Sequence, residues 1–208
     1  MNESQFQRAA VISAGLAARW FPHIDAAMSE FGIKSPLEKA MFIAQVGHES
    51  SGFNATRENF NYSVQTLIMT FVPKRLSKDQ ALMLGRKPGE MALPIERQKA
   101  IANLVYQKRF GNKQSGDGWK YRGGGLMQTT FLDNYRDTGN GIKVDLVGDP
   151  TLIEQDEIAA RSAAWFFVSK GCLQWAGSIN KCTQVINGGL NGIEARTARY
   201  NLAKSVLV

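Results

Sequence analysis

The chain has 208 residues with 44% hydrophobic and 21% charged side chains, values typical of one globular domain. No apolar run is long enough to span a bilayer, and two cysteines and two histidines build neither a disulfide framework nor a zinc site. We therefore expect Cys172 and Cys182 to be buried thiols, and we expect no metal and no cofactor. The net charge of +7 favours an anionic partner, but no nucleic-acid-reading motif accompanies it.

The first predicted helix lies in the apolar stretch from Ala9 to Ala18. Its front end carries Glu3 and no basic cluster before Arg8, so the pattern is not that of a cleaved signal peptide. We expect a protein that is made without an export signal and that does not insert stably into a membrane.

The clearest helix is predicted to begin at Ser35, with Pro36 at the first position and Glu38 at the third, which is a capping box. Its apolar face continues to about residue 51, and Gly52 is a plausible stop. Glu49 then lies in the last turn, where the negative end of the helix dipole favours a protonated carboxyl.

Further helical patterns indicate a mainly α fold with long loops, and the best strand candidate is short, at residues 118–123. The least helical stretch, residues 111–130, has six glycines together with Trp119, Tyr121 and Gln128. Glycines let a backbone approach a ligand closely, and aromatic rings stack on sugars or bases. A phosphate-binding loop is a weak alternative, because no Gly-Lys-Ser or Gly-Lys-Thr follows. The helical patterns cover residues 77–85, 93–107, 156–171 and 192–207.

Three motifs occur in order, namely GHESSGF followed by ENFNYS, then YRGGGLMQTTFLDNY, then VINGGLNGIEARTARY. Together they resemble glycoside hydrolase family 19, in its branch of phage endolysins and bacterial chitinase-like enzymes, over residues 35–205. The resemblance implies a lysozyme-like, two-lobed helical fold with a substrate groove between the lobes. We expect residues 1–208 to form a single catalytic domain with a smaller lobe at about 60–110 and no separate wall-binding domain.

The resemblance also implies roles for individual residues. Glu49 matches the family's general acid and Glu58 its general base, while Thr130 matches a hydroxyl that places the attacking water. Gly124 and Leu126 depart from the family pattern, in which an arginine and a proline are usual. The matched or candidate substrate-binding residues are Gln128, Asn187, Arg196, Tyr121 and Asn134.

The chemistry of a glycosidic bond agrees with this pairing. One carboxyl must donate a proton to the leaving oxygen, and a second carboxylate must activate water or attack as a nucleophile. Glu58 follows polar residues, so we expect it to be well hydrated and ionised. Structural roles remain open: Glu58 as a partner of Arg57, Thr130 as a helix cap, and Tyr121 as a core aromatic.

The sequence therefore predicts a monomeric endolysin that hydrolyses β-1,4 bonds between N-acetylmuramic acid and N-acetylglucosamine. It would be made in the host cytoplasm and act on peptidoglycan in the periplasm. A chitinase of the same family is the first alternative, and a lytic transglycosylase that uses Glu49 alone is the second. A non-catalytic wall- or nucleic-acid-binding module would instead tolerate the loss of Glu49.

Overall fold

The computed structural model describes all 208 residues as eleven α-helices and two short 3-10 helices, at Pro150–Glu154 and Cys172–Trp175. Only isolated β-bridges occur, so the prediction of a mainly α fold is confirmed. The helices are α1 Glu3–Ala10, α2 Ala14–Glu30, α3 Pro36–Glu49, α4 Val64–Phe71, α5 Lys78–Leu84, α6 Ile95–Tyr106, α7 Asp117–Lys120, α8 Leu132–Ile142, α9 Asp156–Ser169, α10 Ile179–Asn187 and α11 Ile193–Leu207.

The amino-terminal region corrects the prediction of one helix over residues 9–18. Val11 adopts a left-handed conformation that ends α1, and the Ser13 side chain then accepts from the backbone N–H of Leu16 to start α2. The apolar stretch therefore bends between two helices, because a hydroxyl cap outweighs the continuity of the apolar pattern.

Helix α3 begins as its capping box predicts. Ser35 accepts from the N–H of Glu38, while the Glu38 carboxylate accepts from the N–H of Ser35. The helix ends at Glu49, slightly before the predicted limit, because Ser50 takes over as the C-cap and its hydroxyl donates to Val46 and accepts from Phe53. Glu49 is thus the final helical residue.

The principal core encloses α3 between α1, α2, α9 and α11. Trp20, Phe42 and Phe167 are fully buried there, and the rings of Phe42 and Phe167 pack in a T-shaped arrangement. Cys172 and Cys182 are both free and buried in this core. The buried partners fix the direction of α3 and so the position of Glu49 at its end.

A second apolar cluster joins α4, α5 and α6 around Phe60, and Trp119 packs against it. The expected strand at residues 118–123 is wrong, because residues 117–120 form α7. Asp117 holds the loop that precedes α7 by accepting from the N–H groups of Lys113 and Gln114, and Gly118 lies against the backbone of α6. A third small cluster surrounds Tyr121 and Tyr135.

No helix combines the length and the hydrophobicity that are needed to cross a bilayer.

Candidate active site

Glu49, at the end of α3, is bound by Arg196 of α11. The Arg196 guanidinium donates to Glu49 Oε1 and, one helical turn earlier, to Gln45 Oε1. Arg196 is 3% exposed, and Gln45 is fully buried and donates from Nε2 to Thr183 Oγ1 at 3.0 Å. The cation therefore connects two successive turns of α3, with Glu49 on the side that reaches solvent.

The loop after α10 lies against the same arginine. Asn187 Nδ2 donates to the carbonyl of Asn191 at 3.2 Å, and Arg196 Nε donates to that same carbonyl at 3.2 Å. Gly192 passes so close to His48 that a Cβ there would lie 2.5 Å from the imidazole. The motif that contains Asn187 and Arg196 therefore packs beside the His48-Glu49 pair, although Asn187 is engaged in holding its own loop.

Glu58 has surroundings that differ from those expected. Its carboxylate is largely enclosed and accepts from the Tyr106 hydroxyl at 2.8 Å and from the Gly123 N–H at 3.0 Å. Burial raises the pKa of Glu58 above its usual value, and these two hydrogen bonds offset the effect only in part. The prediction of a well-hydrated Glu58 is therefore wrong, because α6 and the glycine-rich loop cover it.

The arginines near Glu58 form no ion pair with its carboxylate. Arg57 donates to the Tyr135 hydroxyl at 2.9 Å and lies 3.4 Å from the Glu154 carboxylate, so it is not the ion-pair partner of Glu58. Arg122 stacks 3.6 Å above the Trp119 ring, and burial lowers the pKa of Arg122 to about 10. The Glu58 carboxylate therefore accepts hydrogen bonds from Tyr106 and Gly123 and forms no ion pair.

The three glycines of residues 123–125 allow close approach where the glycine-rich motif meets Glu58. A Cβ at Gly123 would lie 2.7 Å from Gln128 Oε1 and 3.2 Å from Glu58 Oε2. A Cβ at Gly124 would lie 2.4 Å from the Tyr135 hydroxyl and 3.0 Å from the Arg57 guanidinium. The arginine that the family pattern places at Gly124 therefore has no room here, because Arg57 and Tyr135 fill that space.

Gln128, Thr130 and Asn134 line an open depression of about 810 Å³ between α8 and the end of α9. Thr130 donates its hydroxyl proton to the Gln128 carbonyl at 2.9 Å, and Asn134 donates to the Thr130 carbonyl at 2.7 Å. The Thr130 side chain makes no capping bond to α8. Its oxygen lone pairs are therefore available to accept from water, as placing a nucleophilic water requires.

Tyr121 lies in the third cluster and not on the surface of the depression. It is 4% exposed, its ring packs edge-on against Tyr135, and its hydroxyl donates to the Val147 carbonyl. The expected sugar contact at Tyr121 is therefore wrong, because so little of the ring can meet a substrate. The glycine-rich loop needs this aromatic residue as an internal support.

The structure brings the predicted residues into two groups. Arg196 contacts Glu49 and shares the Asn191 carbonyl with Asn187, while Gln128 adjoins Glu58 and leads through Thr130 to Asn134. Gln45 and Tyr106 are absent from the sequence prediction. A buried glutamine one turn before Glu49, within an apolar helical face, is the one local signal that indicates Gln45, whereas Tyr106 is found only through tertiary contact.

Two carboxyls of unequal environment, flanked by amides, a hydroxyl and an open depression, can bind a sugar polymer and exchange protons with it. A sequence model of the family described as chitinase class I matches residues 95–201. A glycosyl hydrolase family 19 domain-containing protein of Haemophilus influenzae is 37% identical over 192 residues, which cover 86% of this chain and 89% of that protein. Chitinase 8 of Oryza sativa subsp. japonica is 34% identical over 79 residues, 38% of this chain and 28% of that protein.

Two solved structures show the same fold. Chitinase C from Streptomyces griseus HUT6037 has a TM-score of 0.58 at 18% identity, covering 99% of this chain and 76% of that one. A bacterial family 19 chitinase has a TM-score of 0.57 at 18% identity, covering 99% and 94%. The molecule is a glycosidase with a lysozyme-like fold. Its chain belongs to glycoside hydrolase family 19, and its substrate is a polysaccharide.

Proposed function

We propose that this glycosidase cleaves β-1,4 bonds of peptidoglycan with two glutamates, as an endolysin does. The observation that carries the two-glutamate mechanism is the separate support of the two carboxyls. Glu49 is bound to Arg196 of α11, and Glu58 is bound to Tyr106 of α6 and to the Gly123 backbone. Two carboxyls held by different parts of the fold can stand on opposite sides of one bound sugar chain, which hydrolysis by an acid and a base requires.

Glu49 donates the proton to the leaving oxygen and Glu58 activates the water, as the family resemblance implies. Thr130 Oγ1 accepts from that water, and Gln128 and Asn134 bind the sugar amides and hydroxyls. Burial raises the pKa of Glu58, and Glu49 lies in contact with the Arg196 guanidinium. Because Arg196 occupies one oxygen of the Glu49 carboxyl, the leaving oxygen of the substrate would be met by the other oxygen.

The choice of peptidoglycan over chitin is supported by charge. The depression continues past Thr130 and Asn134 to Asp137 and Lys170, an exposed carboxylate and an exposed ammonium. A chitin strand has no charged group for either side chain. The muramyl units of peptidoglycan carry peptide stems with carboxylates and amines, and the chain's net charge of +7 also suits an anionic wall.

The test is mass spectrometry of peptidoglycan and of chitin after digestion by the wild type, Glu49→Gln, Glu58→Gln and the exposed control Glu157→Gln. We expect reducing-end muramyl products from peptidoglycan, a loss of at least about 100-fold in both site variants, and an unchanged control. Anhydro products that survive Glu58→Gln would replace the proposal with a single-glutamate transglycosylase. Cleavage of chitin alone would keep the mechanism and change the substrate.

An aryl chito-oligosaccharide with a good leaving group separates the two roles, because its departure needs no proton. Glu49→Gln should lose much less activity on this compound than on the polymer, whereas Glu58→Gln should lose similar activity on both. The reverse pattern would exchange the two assignments.

The role in host lysis, after release through a membrane opened by another protein, is tested by adding the enzyme to cells stripped of their outer membrane.

A further inference from the structure

The positive charge of the chain is concentrated in residues 61–113, which we call the basic segment. It contains ten lysines and arginines and three acidic residues, whereas the whole chain has 25 and 18. The other residues therefore hold fifteen of each sign, and the basic segment accounts for the entire net charge of +7. A local excess of one sign produces a much stronger field than the same charges dispersed over the surface.

Few of these cations are neutralised within the protein. Glu90 pairs with Arg97, and Glu96 pairs with Lys99, so two of the three acids are already used. Lys74, Lys78 and Lys87 are exposed and make no ion pair. Their ammonium groups are free to meet an anionic partner.

The same segment exposes an unusual amount of apolar surface. It holds six of the ten large hydrophobic side chains that are strongly exposed in the chain, although it is only about a quarter of the length. Met91 is 95% exposed, Met69 75% and Met83 64%. The remaining three are Leu82, Ile95 and Phe110. Large exposed apolar side chains in such number over a quarter of the chain indicate a surface that contacts a partner or a membrane.

Met91 is held outward by a well-bonded turn. The Glu90 carboxylate accepts from the Lys87 N–H at 2.7 Å and from Arg97, while Arg86 donates to the Glu90 carbonyl at 3.1 Å. Because these bonds fix residues 86–90, the methionine that follows is presented to solvent by an ordered support. The exposure of Met91 is therefore a property of the fold.

Basic and apolar side chains are adjacent on this surface. Leu82 and Lys87 line one depression of about 570 Å³ together with Gln65. Lys78 precedes Leu82 by one helical turn on α5, and Met69 follows Gln65 by one turn on α4. An ammonium group thus lies within a turn of an apolar side chain on α5, and the depression that Leu82 and Lys87 line extends to Gln65 of α4.

We infer that the basic segment is a docking surface for the face of an anionic lipid bilayer. Lysines that attract lipid phosphates, beside methionine and leucine side chains that enter the interface, are the two features of peripheral membrane binding. A soluble polyanion or a nucleic acid would use the cations and leave the apolar side chains without a role. The inference rests on charge and exposure, so it holds whichever polysaccharide the enzyme cleaves.

The test uses the full chain in flotation with vesicles of phosphatidylcholine alone or mixed with one quarter phosphatidylglycerol. We expect at least tenfold stronger partitioning onto the anionic vesicles, weakened by salt. The variant Lys74→Gln/Lys78→Gln/Lys87→Gln should lose most of this binding. The control Lys34→Gln/Lys143→Gln/Lys204→Gln removes the same charge elsewhere and should change binding less than twofold.

A second pair of variants tests the apolar contribution. Met69→Gln/Met91→Gln should weaken vesicle binding at least threefold, whereas Leu202→Gln/Val208→Gln, in α11 and at the chain end, should not. Equal losses in the two lysine variants would overturn the inference, since net charge alone would then govern binding. Unchanged vesicle binding by the methionine variant, with competition by soluble polyglutamate, would also overturn it in favour of a polyanion site.

Discussion

Arg196 donates to Glu49 and Gln45 at once, so one buried guanidinium bonds two side chains that are one turn apart on α3. Arg196 lies 151 positions after Gln45 and 147 positions after Glu49 in the chain. The contact joins the last helix to the end of the helix that carries the candidate acid, and both the stability of the fold and the direction of the Glu49 carboxyl depend on it.

Replacing Arg196 by Met should destabilise the protein by about 2 to 3 kcal/mol, less than for a fully buried pair because Glu49 is partly exposed. Urea unfolding monitored by tryptophan fluorescence measures this loss. Glu49→Gln keeps an acceptor for Arg196 and should cost clearly less. Equal stability of Arg196→Met and the wild type would show that the contact adds nothing to the fold.

The surroundings of Glu58 predict a pH-dependent stability. Burial raises the pKa of Glu58 in the folded state above its unfolded-state pKa near 4.5. The contribution of Glu58 to the free energy of unfolding is therefore fully present below pH 4.5 and is lost as the pH rises through the folded-state pKa. Glu58→Gln should therefore gain stability relative to the wild type as the pH rises from 4 towards neutral. Urea titrations across this range check the sign, and a difference that stays constant with pH would contradict it.

The hydrogen bond from Tyr106 favours the ionised form of Glu58. Tyr106→Phe should therefore raise the pKa of Glu58 further and move the acidic limb of the kcat/KM profile to higher pH, if Glu58 is the base. Tyr62 packs against the second cluster and donates no hydrogen bond to Glu58. Tyr62→Phe removes the same kind of hydroxyl and serves as the control. Movement of the alkaline limb alone would assign Glu58 to the acid role.

Two glycine variants separate site geometry from packing. Gly118→Ala would place a Cβ 2.5 Å from the Ala102 carbonyl, which is fixed helix backbone, so it should cost about 1 to 3 kcal/mol. At Gly123 the nearest atom is the end of the Gln128 side chain, which can move. Gly123→Ala should therefore fold with nearly normal stability and raise KM. If Gly123→Ala bound substrate normally, Gln128 would have no part in binding.

A Tyr121 variant tests whether this residue supports the fold or contacts the sugar. Tyr121→Phe removes a buried hydroxyl that donates to the Val147 carbonyl, so it should cost about 1 kcal/mol and leave kcat and KM unchanged. A rise in KM without a loss of stability would restore the sugar contact that the sequence indicated.

The sequence predicts features that depend on neighbouring residues. Ser35, Pro36 and Glu38 start α3 as their pattern indicates, and the end of that helix falls within two or three residues of the predicted stop. The surroundings of Glu58 could not be predicted this way. Its flanking residues are polar, and the groups that bury it, Tyr106 and Gly123, lie 48 and 65 positions further along the chain.

The separate anchoring of the two glutamates has a mechanical consequence. Glu49 moves with α3 and α11, while Glu58 moves with α6 and the glycine-rich loop. The gap between their carboxyls is therefore set by how these helical groups pack, and only loosely by the short peptide that joins residues 49 and 58. Any change in the packing of α3 and α11 against α6 would therefore change that gap, although the two glutamates are only nine positions apart.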